Sequence, residues 1–406
     1  MPETQTTCAI AGGGPAGMML GLLLARAGID VTVLEKHADF LRDFRGDTIH
    51  PSTLEVMHEL GLLEGLLARP HQKTYEIGAR IGATKIAVAD FTHLPTHCKY
   101  IAFMPQWEFL NFLAETGKRY ETFHLKMQAE ATGLIEQGGR VTGLRAETPE
   151  GPLDIRADLV IGADGRTSVV REKAGLIIDD LGAPIDVLWL RLSRRETDEA
   201  ESLGRIDAGR FFIMIDRGDY WQCAFVIPKG SFDEWKSKGI DAFRQTIATL
   251  MPSLTDRTAE IRDWNNVKLL TVKVDRLRQW YRDGLLCIGD AAHAMSPIGG
   301  VGINLAVQDA VAAANILSRP LLSRTLTSDD LARVQKRRLF PTRVTQAVQV
   351  FAQTRIVEPV LRETGTISPP FPLKLLNWFP ILRRLPARAV GMGVRPEHVQ
   401  IGEGAK

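Results

Sequence analysis

A glycine-rich turn near the start of the chain constrains the fold more than any other feature of the sequence. The small apolar strand at 8–11 leads into Gly12-Gly13-Gly14-Pro15-Ala16-Gly17, and a helical pattern follows. Gly12 permits the tight turn, Gly14 lets a pyrophosphate approach the backbone, and Gly17 allows close helix packing. The positive N-terminus of the helix also favours an anion. The segment therefore predicts a dinucleotide site with contacts at Gly12, Gly14, Pro15, Ala16 and Gly17.

A carboxylate ends the second strand of this unit. The strand at 31–34 is followed by Glu35, about 20 residues after the glycines, where an acidic side chain binds ribose hydroxyls and repels a 2′-phosphate. Glu35 and the neighbouring Lys36 are predicted to bind the cofactor, and FAD or NAD suits the site better than NADP. The order of strand, glycine turn, helix and strand is typical of a parallel α/β sheet.

The composition favours small-molecule chemistry in a reducing compartment. The 406 residues carry 50 basic and 48 acidic side chains, a net charge of +2, without a basic block that would bind nucleic acid. The N-terminus has no basic export signal, and polar residues interrupt the most apolar stretch, 302–317. We therefore predict a cytoplasmic protein without a membrane span. No metal is predicted, since no His, Cys and Asp residues show metal spacing. The scattered cysteines are expected to be core thiols: Cys8, Cys98, Cys223 and Cys287.

Two further motifs point to a family. The buried strand at 285–288 delivers Gly289-Asp290-Ala291-Ala292-His293, followed by a glycine loop and another helix. A similar strand delivers Gly162-Ala163-Asp164-Gly165-Arg166. Together with the first glycine turn, these motifs resemble the class A flavoprotein monooxygenases, the p-hydroxybenzoate hydroxylase-like family.

The resemblance implies a set of cofactor contacts. In the family, the Gly-Asp motif places Asp290 on the ribityl chain of FAD, and the Asp-Gly motif at Asp164 serves both FAD and the pyridine nucleotide. An arginine near the flavin matches Arg45, and a glutamine that meets FAD matches Gln106. The implied contacts are Arg45, Gln106, Asp164, Gly165, Gly289, Asp290 and Gly300.

The loop before the next helix is the predicted catalytic segment. Backbone N–H groups of Gly302, Ile303 and Asn304, at the start of that helix, could stabilise negative charge on the pyrimidine edge of reduced flavin. By resemblance, Pro297 lies beside the flavin ring and shapes the pocket there. His293 is expected to be structural rather than a general base.

The resemblance implies a hydroxylase that uses NAD(P)H and O2. The expected substrate is an aromatic or other electron-rich small molecule, attacked through a flavin C4a-hydroperoxide; the choice between NADH and NADPH stays open. A halogenase is disfavoured because Cys223 and Phe225 occupy the two tryptophan positions of Trp-x-Trp-x-Ile-Pro. The sequence is also compatible with an isoprenoid-reductase-like enzyme and with a flavin-binding protein that has no turnover.

The predicted fold class is α/β with an α+β insertion. It consists of a doubly wound Rossmann-type FAD domain at 1–75, 101–180 and 270–325, an inserted β-sheet substrate domain at 76–100 and 181–269, and a helical C-terminal segment at 326–406. The end of that segment is expected to pack over the FAD domain or against a second subunit of a homodimer. Membrane-surface docking is less favoured, because Pro372, Pro380 and Pro386 break the helical pattern.

A hairpin in the inserted sheet is expected to carry the substrate contacts. The strands at 210–215 and 220–227 flank the polar loop 216–219, and the expected register pairs Ile215 with Tyr220.

Alternation gives the hairpin two faces of different chemistry. The first face is wholly apolar and is expected to pack beneath an amphipathic helix at 233–250; it carries Phe212, Met214, Trp221, Cys223 and Phe225. The second face combines apolar surface with polar groups, as a small-molecule pocket does. The predicted substrate contacts on this face are Phe211, Ile213, Tyr220 and Gln222.

Overall fold

The structure is a computed structural model that describes residues 3–41, 47–198, 203–207, 209–363, 365 and 367–402. The strands, β1 to β21 in chain order, are Glu3–Ala11, Val31–Glu35, Thr48–Ile49, Gln72–Thr74, Glu76–Ile81, Thr84–Asp90, Ile101–Phe103, Phe123–Met127, Glu130–Gln137, Arg140–Thr148, Gly151–Gly162, Ile178–Asp180, Ile185–Ser193, Leu203–Asp207, Arg210–Asp216, Tyr220–Pro228, Lys268–Leu270, Asp275–Leu277, Tyr281–Arg282, Leu285–Cys287 and His293–Ala294. The α-helices, α1 to α12, are Pro15–Arg26, Pro51–Glu59, Leu63–Leu67, Gln106–Gly117, Val169–Lys173, Phe232–Lys238, Ile240–Leu250, Gly302–Leu322, Ser328–Ala352, Glu358–Arg362, Phe371–Trp378 and Arg384–Gly391.

An eight-stranded sheet forms the first layer of the fold. Its main path runs β19-β20-β11-β1-β2-β8, and the strands from β20 to β8 pair in parallel. Residues 8–11 of β1 are fully buried, as expected for a parallel strand covered on both faces. Helix α1 packs against α4 and α8. The predicted doubly wound α/β fold is confirmed.

A seven-stranded sheet forms the second layer, in the order β17-β13-β16-β15-β14-β5-β6. Its strands pair antiparallel except for β14 and β5, which are parallel. Most of its strands lie in the sequence between the Asp-Gly motif at 162–166 and the Gly-Asp motif at 289–293. The segment that forms this sheet is therefore inserted between strands of the first sheet. The predicted division into domains stays a prediction, because sheet membership does not set domain boundaries.

The predicted faces of the hairpin β15–β16 are confirmed. Phe212, Trp221 and Phe225 are buried in one cluster with Phe243 and Ile247 of α7. The single helix expected at 233–250 is wrong, however. The chain breaks into α6 and α7 at Gly239, whose φ of +85° is a left-handed conformation that a helix interior does not adopt.

The predicted hairpin register is also wrong. Ile215 pairs with Gln222 rather than with Tyr220, and Asp216 pairs with Trp221. The partner of Ile215 is thus displaced by two residues along β16. Because side chains alternate between the faces of a strand, a displacement by an even number of residues leaves every side chain on its predicted face. The reason lies in the turn, where Gly218 takes a φ of +88° and its N–H donates to the Asp216 carboxylate at 2.8 Å.

The C-terminal residues pack against both layers. Helix α9 lies on α8, and α11 and α12 lie on β6. Beyond α12, Val399 and Ile401 contact the core around the eight-stranded sheet.

One helical run among the described residues, Ile298–Leu322, is as long and apolar as a membrane span. Its most apolar window is 78% buried inside the protein. Buried core helices share this length and composition, so the run is weak evidence for a span.

Candidate active site

The glycine turn between β1 and α1 has the geometry of a cradle. Gly12 has a φ of +106°, and a Cβ there would lie 2.3 Å from the carbonyl oxygen of Ala163, so only glycine fits. A Cβ on Gly17 would lie 2.0 Å from the carbonyl oxygen of Gly12. In contrast, a Cβ on Gly14 would meet nothing within 4 Å. Two of the glycines therefore close the turn, and the third leaves room for a ligand in front of the α1 N-terminus.

Acidic and basic side chains end the second strand. Glu35 accepts hydrogen bonds from the N–H of Gly13 at 3.2 Å and of His37 at 3.0 Å, so its carboxylate lies beside the cradle. Lys36 is about half exposed and lies 3.8 Å from Glu130. Glu35 therefore borders the cradle at Gly13, whereas Lys36 lies on the surface beside Glu130.

The Asp-Gly motif brings a second carboxylate to the same strand ends, and its predicted contact with the cofactor stays a prediction. Asp164 accepts from the Ser168 hydroxyl at 2.5 Å and from the N–H of Val170 at 3.1 Å, so its side chain binds the start of α5, where Ser168 is the N-cap. Burial raises the pKa of the Asp164 carboxyl above its ordinary value. Gly165 has a φ of +84°, and a Cβ on it would meet nothing within 4 Å.

Arg166 is a site residue that the sequence pattern did not indicate. Its Nε donates to Asp290 at 3.0 Å, which joins the Asp-Gly motif to the Gly-Asp motif. Its Nη1 is buried and has no hydrogen-bond partner among the described residues. The signal for Arg166 was its place directly after Asp164 and Gly165. The arrangement adds a guanidinium to a site that would hold an anionic cofactor.

The Gly-Asp motif lies against the cradle. Gly289 has a φ of +59°, and a Cβ on it would lie 3.0 Å from the Cβ of Ala16 in α1. Asp290 is one-third exposed. The carboxyl ends of β1, β11 and β20 therefore bring all three motifs to one place.

The predicted catalytic loop ends where α8 begins. Gly302, Ile303 and Asn304 form the first turn of α8, so their N–H groups have no acceptor within the helix. A Cβ on Gly302 would meet nothing within 4 Å. The Oδ1 of Asn304 accepts from the hydroxyls of Ser52 and Thr53 in α2 at 2.7 Å each, so this side chain anchors α8 to α2.

Thr48 of β3 supports the other end of this loop. Its hydroxyl donates to the Gly300 carbonyl at 2.7 Å. Pro297 begins a short 3-10 turn, and the next residue, Ile298, packs in the same apolar cluster as Phe211 and Ile213. The structure therefore brings the predicted catalytic loop to the predicted substrate face of the hairpin.

The polar residues of that face join a buried cluster. Gln222 is 4% exposed, and its Oε1 accepts from the Nε of Arg217 at 3.1 Å. Arg217 also pairs with Asp47, whose side chain is 6% exposed. Tyr220 is half-buried under the Arg191 guanidinium, 3.7 Å from its ring centroid. The Oε1 of Gln222 is therefore held by Arg217, and the predicted contact of Gln222 with a substrate stays a prediction.

Burial raises the pKa of the Asp47 carboxyl, and the neighbouring Arg217 opposes this shift. The Nη1 of Arg217 has no hydrogen-bond partner in the part of the chain that the structure describes. A donor of this kind can bind an oxygen of a small molecule.

The two buried histidines near the loop are held by the protein. His293 bonds Asp309 at 2.6 Å, and both side chains are buried. His50 bonds the Val390 carbonyl at 2.8 Å through its Nδ1, and burial lowers the pKa of the ring. Neither ring faces open solvent.

The predicted FAD contacts of Arg45 and Gln106 stay predictions. Arg45 lies outside the described residues. Gln106 begins α4, and its N–H faces Asp47 at 3.4 Å. Among the residues that the structure describes, no group of three His, Cys, Asp or Glu side chains has the arrangement of a metal site. The cysteines Cys8, Cys98, Cys223 and Cys287 are free and buried.

Comparison with known proteins adds a family to this geometry. The sequence matches the model of the FAD binding domain over residues 5–348. The 6-methylpretetramide 4-monooxygenase of Streptomyces rimosus is 32% identical over 407 residues, which cover 99% of this chain and 97% of the relative. A second relative, the 12-dehydrotetracycline 5-monooxygenase/anhydrotetracycline 6-monooxygenase of Streptomyces rimosus subsp. rimosus, is 29% identical over 324 residues. That match covers 74% of this chain and 60% of the relative, so the chain spans less than two thirds of the second protein.

Solved structures share the fold. The crystal structure of PqsL from Pseudomonas aeruginosa in complex with 2-aminobenzoylacetate superposes with a TM-score of 0.76 at 20% identity. The match covers 88% of this chain and 98% of PqsL.

Proposed function

This chain belongs to the FAD binding domain family, and from that membership we propose that it is an FAD-dependent monooxygenase that hydroxylates an aromatic small molecule with NAD(P)H as reductant. We base the proposal on one observation above all. The chain aligns over nearly its whole length with a monooxygenase that acts on the aromatic polyketide 6-methylpretetramide. We therefore propose an aromatic polyketide or a similar fused phenol as the substrate class.

The residues at the strand ends fit FAD. Gly14 and Gly302 each leave open space where a Cβ would stand, one at the start of α1 and the other at the start of α8. The first N–H groups of a helix and its dipole favour negative charge. In this proposal the cradle binds the pyrophosphate, Glu35 binds ribose hydroxyls, and Asp290 with its partner Arg166 lies at the ribityl chain.

When bound, FAD accepts a hydride and activates dioxygen, so the protein need not supply a nucleophile. The protein's own contribution is electrostatic and steric. The N–H groups of Gly302, Ile303 and Asn304 would stabilise negative charge at the start of α8. The apolar side chains Phe211 and Ile213 would exclude water near the loop at Pro297.

Substrate orientation is assigned to the polar cluster on the hairpin. The buried Nη1 of Arg217 is a cationic donor, and the Tyr220 hydroxyl shares its surroundings with Arg217 and Asp47. Aromatic polyketides carry acidic phenol and enol oxygens, which such donors bind well. Arg217 and Tyr220 would therefore hold one oxygen of the substrate while the ring lies against Phe211 and Ile213.

A substrate screen tests this function. Phenols, quinolones and aromatic polyketides, including 6-methylpretetramide, are added to the FAD-loaded protein with NADH and in parallel with NADPH. We expect at least one compound to accelerate coenzyme oxidation and to gain one oxygen atom by mass spectrometry. A yellow protein whose coenzyme oxidation responds to none of these compounds would contradict the proposal.

A further inference from the structure

A buried chain of charged side chains connects the Gly-Asp motif to the C-terminal residues. The N–H of Gly289 donates to Asp309 Oδ2 at 3.1 Å, and Arg338 Nε donates to Asp309 Oδ1 at 2.9 Å. The Nη1 of Arg338 then donates to Glu397 Oε1 at 3.2 Å. The turn that begins the motif is thus linked through α8 and α9 to Glu397.

This chain is buried, so each charge in it depends on its neighbours. The side chains of Asp309, Arg338 and Glu397 are 0%, 2% and 7% exposed. Burial raises the pKa of Asp309, but His293 and Arg338 outweigh burial and hold it below its ordinary value. Arg338 has a carboxylate on each side, and removal of one partner from a buried ion pair leaves an uncompensated charge.

The first member of the chain is a turn with little freedom to move. Gly289 adopts a left-handed conformation, and its Cα lies close to Ala16 at the start of α1. The next residue, Asp290, carries the carboxylate that pairs with Arg166. A shift of Asp309 would therefore move the Gly289 turn relative to the cradle.

The last member belongs to a segment that we call the C-terminal strap, residues 396–400. The N–H of Glu397 donates to the Gln308 side chain in α8. The strap is also held at Glu59 of α2, which accepts hydrogen bonds from His398 and from the N–H of Val399. Glu397 and Glu59 thus attach the same strap, but only Glu397 contacts the buried chain.

We propose that Glu397 is a positioning residue for the cofactor site, which aligns the Gly289 turn for FAD through Arg338 and Asp309. The C-terminal strap then completes the site although it lies outside every motif that binds the cofactor. The proposal rests on the placement of FAD given under the proposed function.

The test is an FAD titration of the apoprotein of three variants. We expect Glu397→Ala to weaken FAD binding roughly ten-fold, by analogy with metal sites, where loss of a partner that orients a ligand residue weakens binding on this scale. Glu397→Gln, which keeps the size and removes the charge, should act in the same direction. Glu59→Ala also removes strap contacts but spares the buried chain, so it should bind FAD as the wild type does. The thermal unfolding midpoint of each apoprotein is also measured, so that a change in FAD affinity can be compared with any loss of stability in the same variant.

The outcomes separate this proposal from the function itself. Wild-type affinity in both Glu397 variants would overturn it, and so would an equal loss of affinity in Glu59→Ala, because the strap would then act only as general support. A wild-type chain that binds no FAD would contradict the proposed function and this proposal together.

Discussion

Arg217 pairs with Asp47 at 2.5 Å, and this ion pair joins the hairpin of the seven-stranded sheet to the segment that enters β3. Both side chains are almost fully buried, at 2% and 6% exposed. The hydroxyl of the next residue, Thr48, donates to the Gly300 carbonyl of the predicted catalytic loop. The pair therefore links the proposed substrate face to the loop at the start of α8.

Removing one partner of this ion pair should lower the free energy of unfolding. Asp47→Ala leaves the Arg217 charge buried without its carboxylate, so we expect a loss of about 3 to 5 kcal/mol in the free energy of unfolding. The double variant Asp47→Ala with Arg217→Met should recover much of that loss, because it removes both charges. Urea unfolding at neutral pH measures the free energy of unfolding of the two single variants, Asp47→Ala and Arg217→Met, and of the double variant. A double variant that loses as much as the sum of the single variants would show that the two side chains act independently.

The two faces of the hairpin should respond differently to substitution. Trp221 is 1% exposed and its Nε1 donates to Asp198 at 2.9 Å, so Trp221→Ala should lower the free energy of unfolding by about 3 to 5 kcal/mol. Tyr220→Phe removes one hydroxyl from a half-buried ring, and it should leave stability largely intact while raising KM or diverting turnover to hydrogen peroxide. If Trp221→Ala spares stability and Tyr220→Phe leaves coupling unchanged, the roles of the two faces are reversed.

Features that depend on residues close together in the sequence were predicted correctly. Gly12, Gly14 and Gly17 lie in one strand-turn-helix unit, so spacing alone sufficed to assign their separate roles in the turn. Alternation along β15 and β16 likewise placed Phe212 and Trp221 on a single buried face. The exact register was not accessible, because Gly218 decides it through a backbone conformation that the alternation does not report.

Contacts between distant residues could not be predicted in this way. Asp47 and Arg217 are 170 positions apart, and nothing in either local pattern indicates the other. Asp164 shows a further limit, since its motif does not indicate that its carboxylate accepts from Ser168 and from the N–H of Val170 at the start of α5. A motif identifies where a side chain lies more readily than which hydrogen bonds it makes.

Substitutions at two glycines of the cradle should affect different properties, FAD binding in one case and the stability of the fold in the other. Gly14→Ala adds a Cβ into open space, so we expect nearly unchanged thermal stability of the apoprotein and weaker FAD binding. Gly17→Ala adds a Cβ 2.0 Å from the Gly12 carbonyl oxygen, so it should destabilise the apoprotein itself. Thermal unfolding and FAD titration are measured on both variants. Normal FAD affinity in Gly14→Ala would place the cofactor elsewhere.

Asp198 should make the stability of the seven-stranded sheet depend on pH. Its partial burial raises the pKa, but hydrogen bonds from Arg257 and Trp221 outweigh burial and hold the pKa well below its usual range. A carboxyl whose pKa is depressed in the folded state stabilises the protein above its unfolded pKa, which is about 3.9, and loses that contribution as pH falls further. We expect Asp198→Asn to lower the free energy of unfolding at pH 7. The difference in the free energy of unfolding between the variant and the wild type should become smaller in acid. A difference that stays constant from pH 7 to pH 3 would argue against this role.

Incorporation of labelled dioxygen tests the central claim most directly. The FAD-loaded protein is supplied with NAD(P)H, an atmosphere of isotopically heavy dioxygen and the compound that most accelerates coenzyme oxidation, with 6-methylpretetramide as the first choice. A monooxygenase transfers one atom of dioxygen to the substrate, so we expect a product that carries one heavy oxygen atom and is absent when the coenzyme is omitted. A product with no heavy oxygen, while coenzyme is consumed and hydrogen peroxide accumulates in equal amount, would contradict the assignment as a monooxygenase.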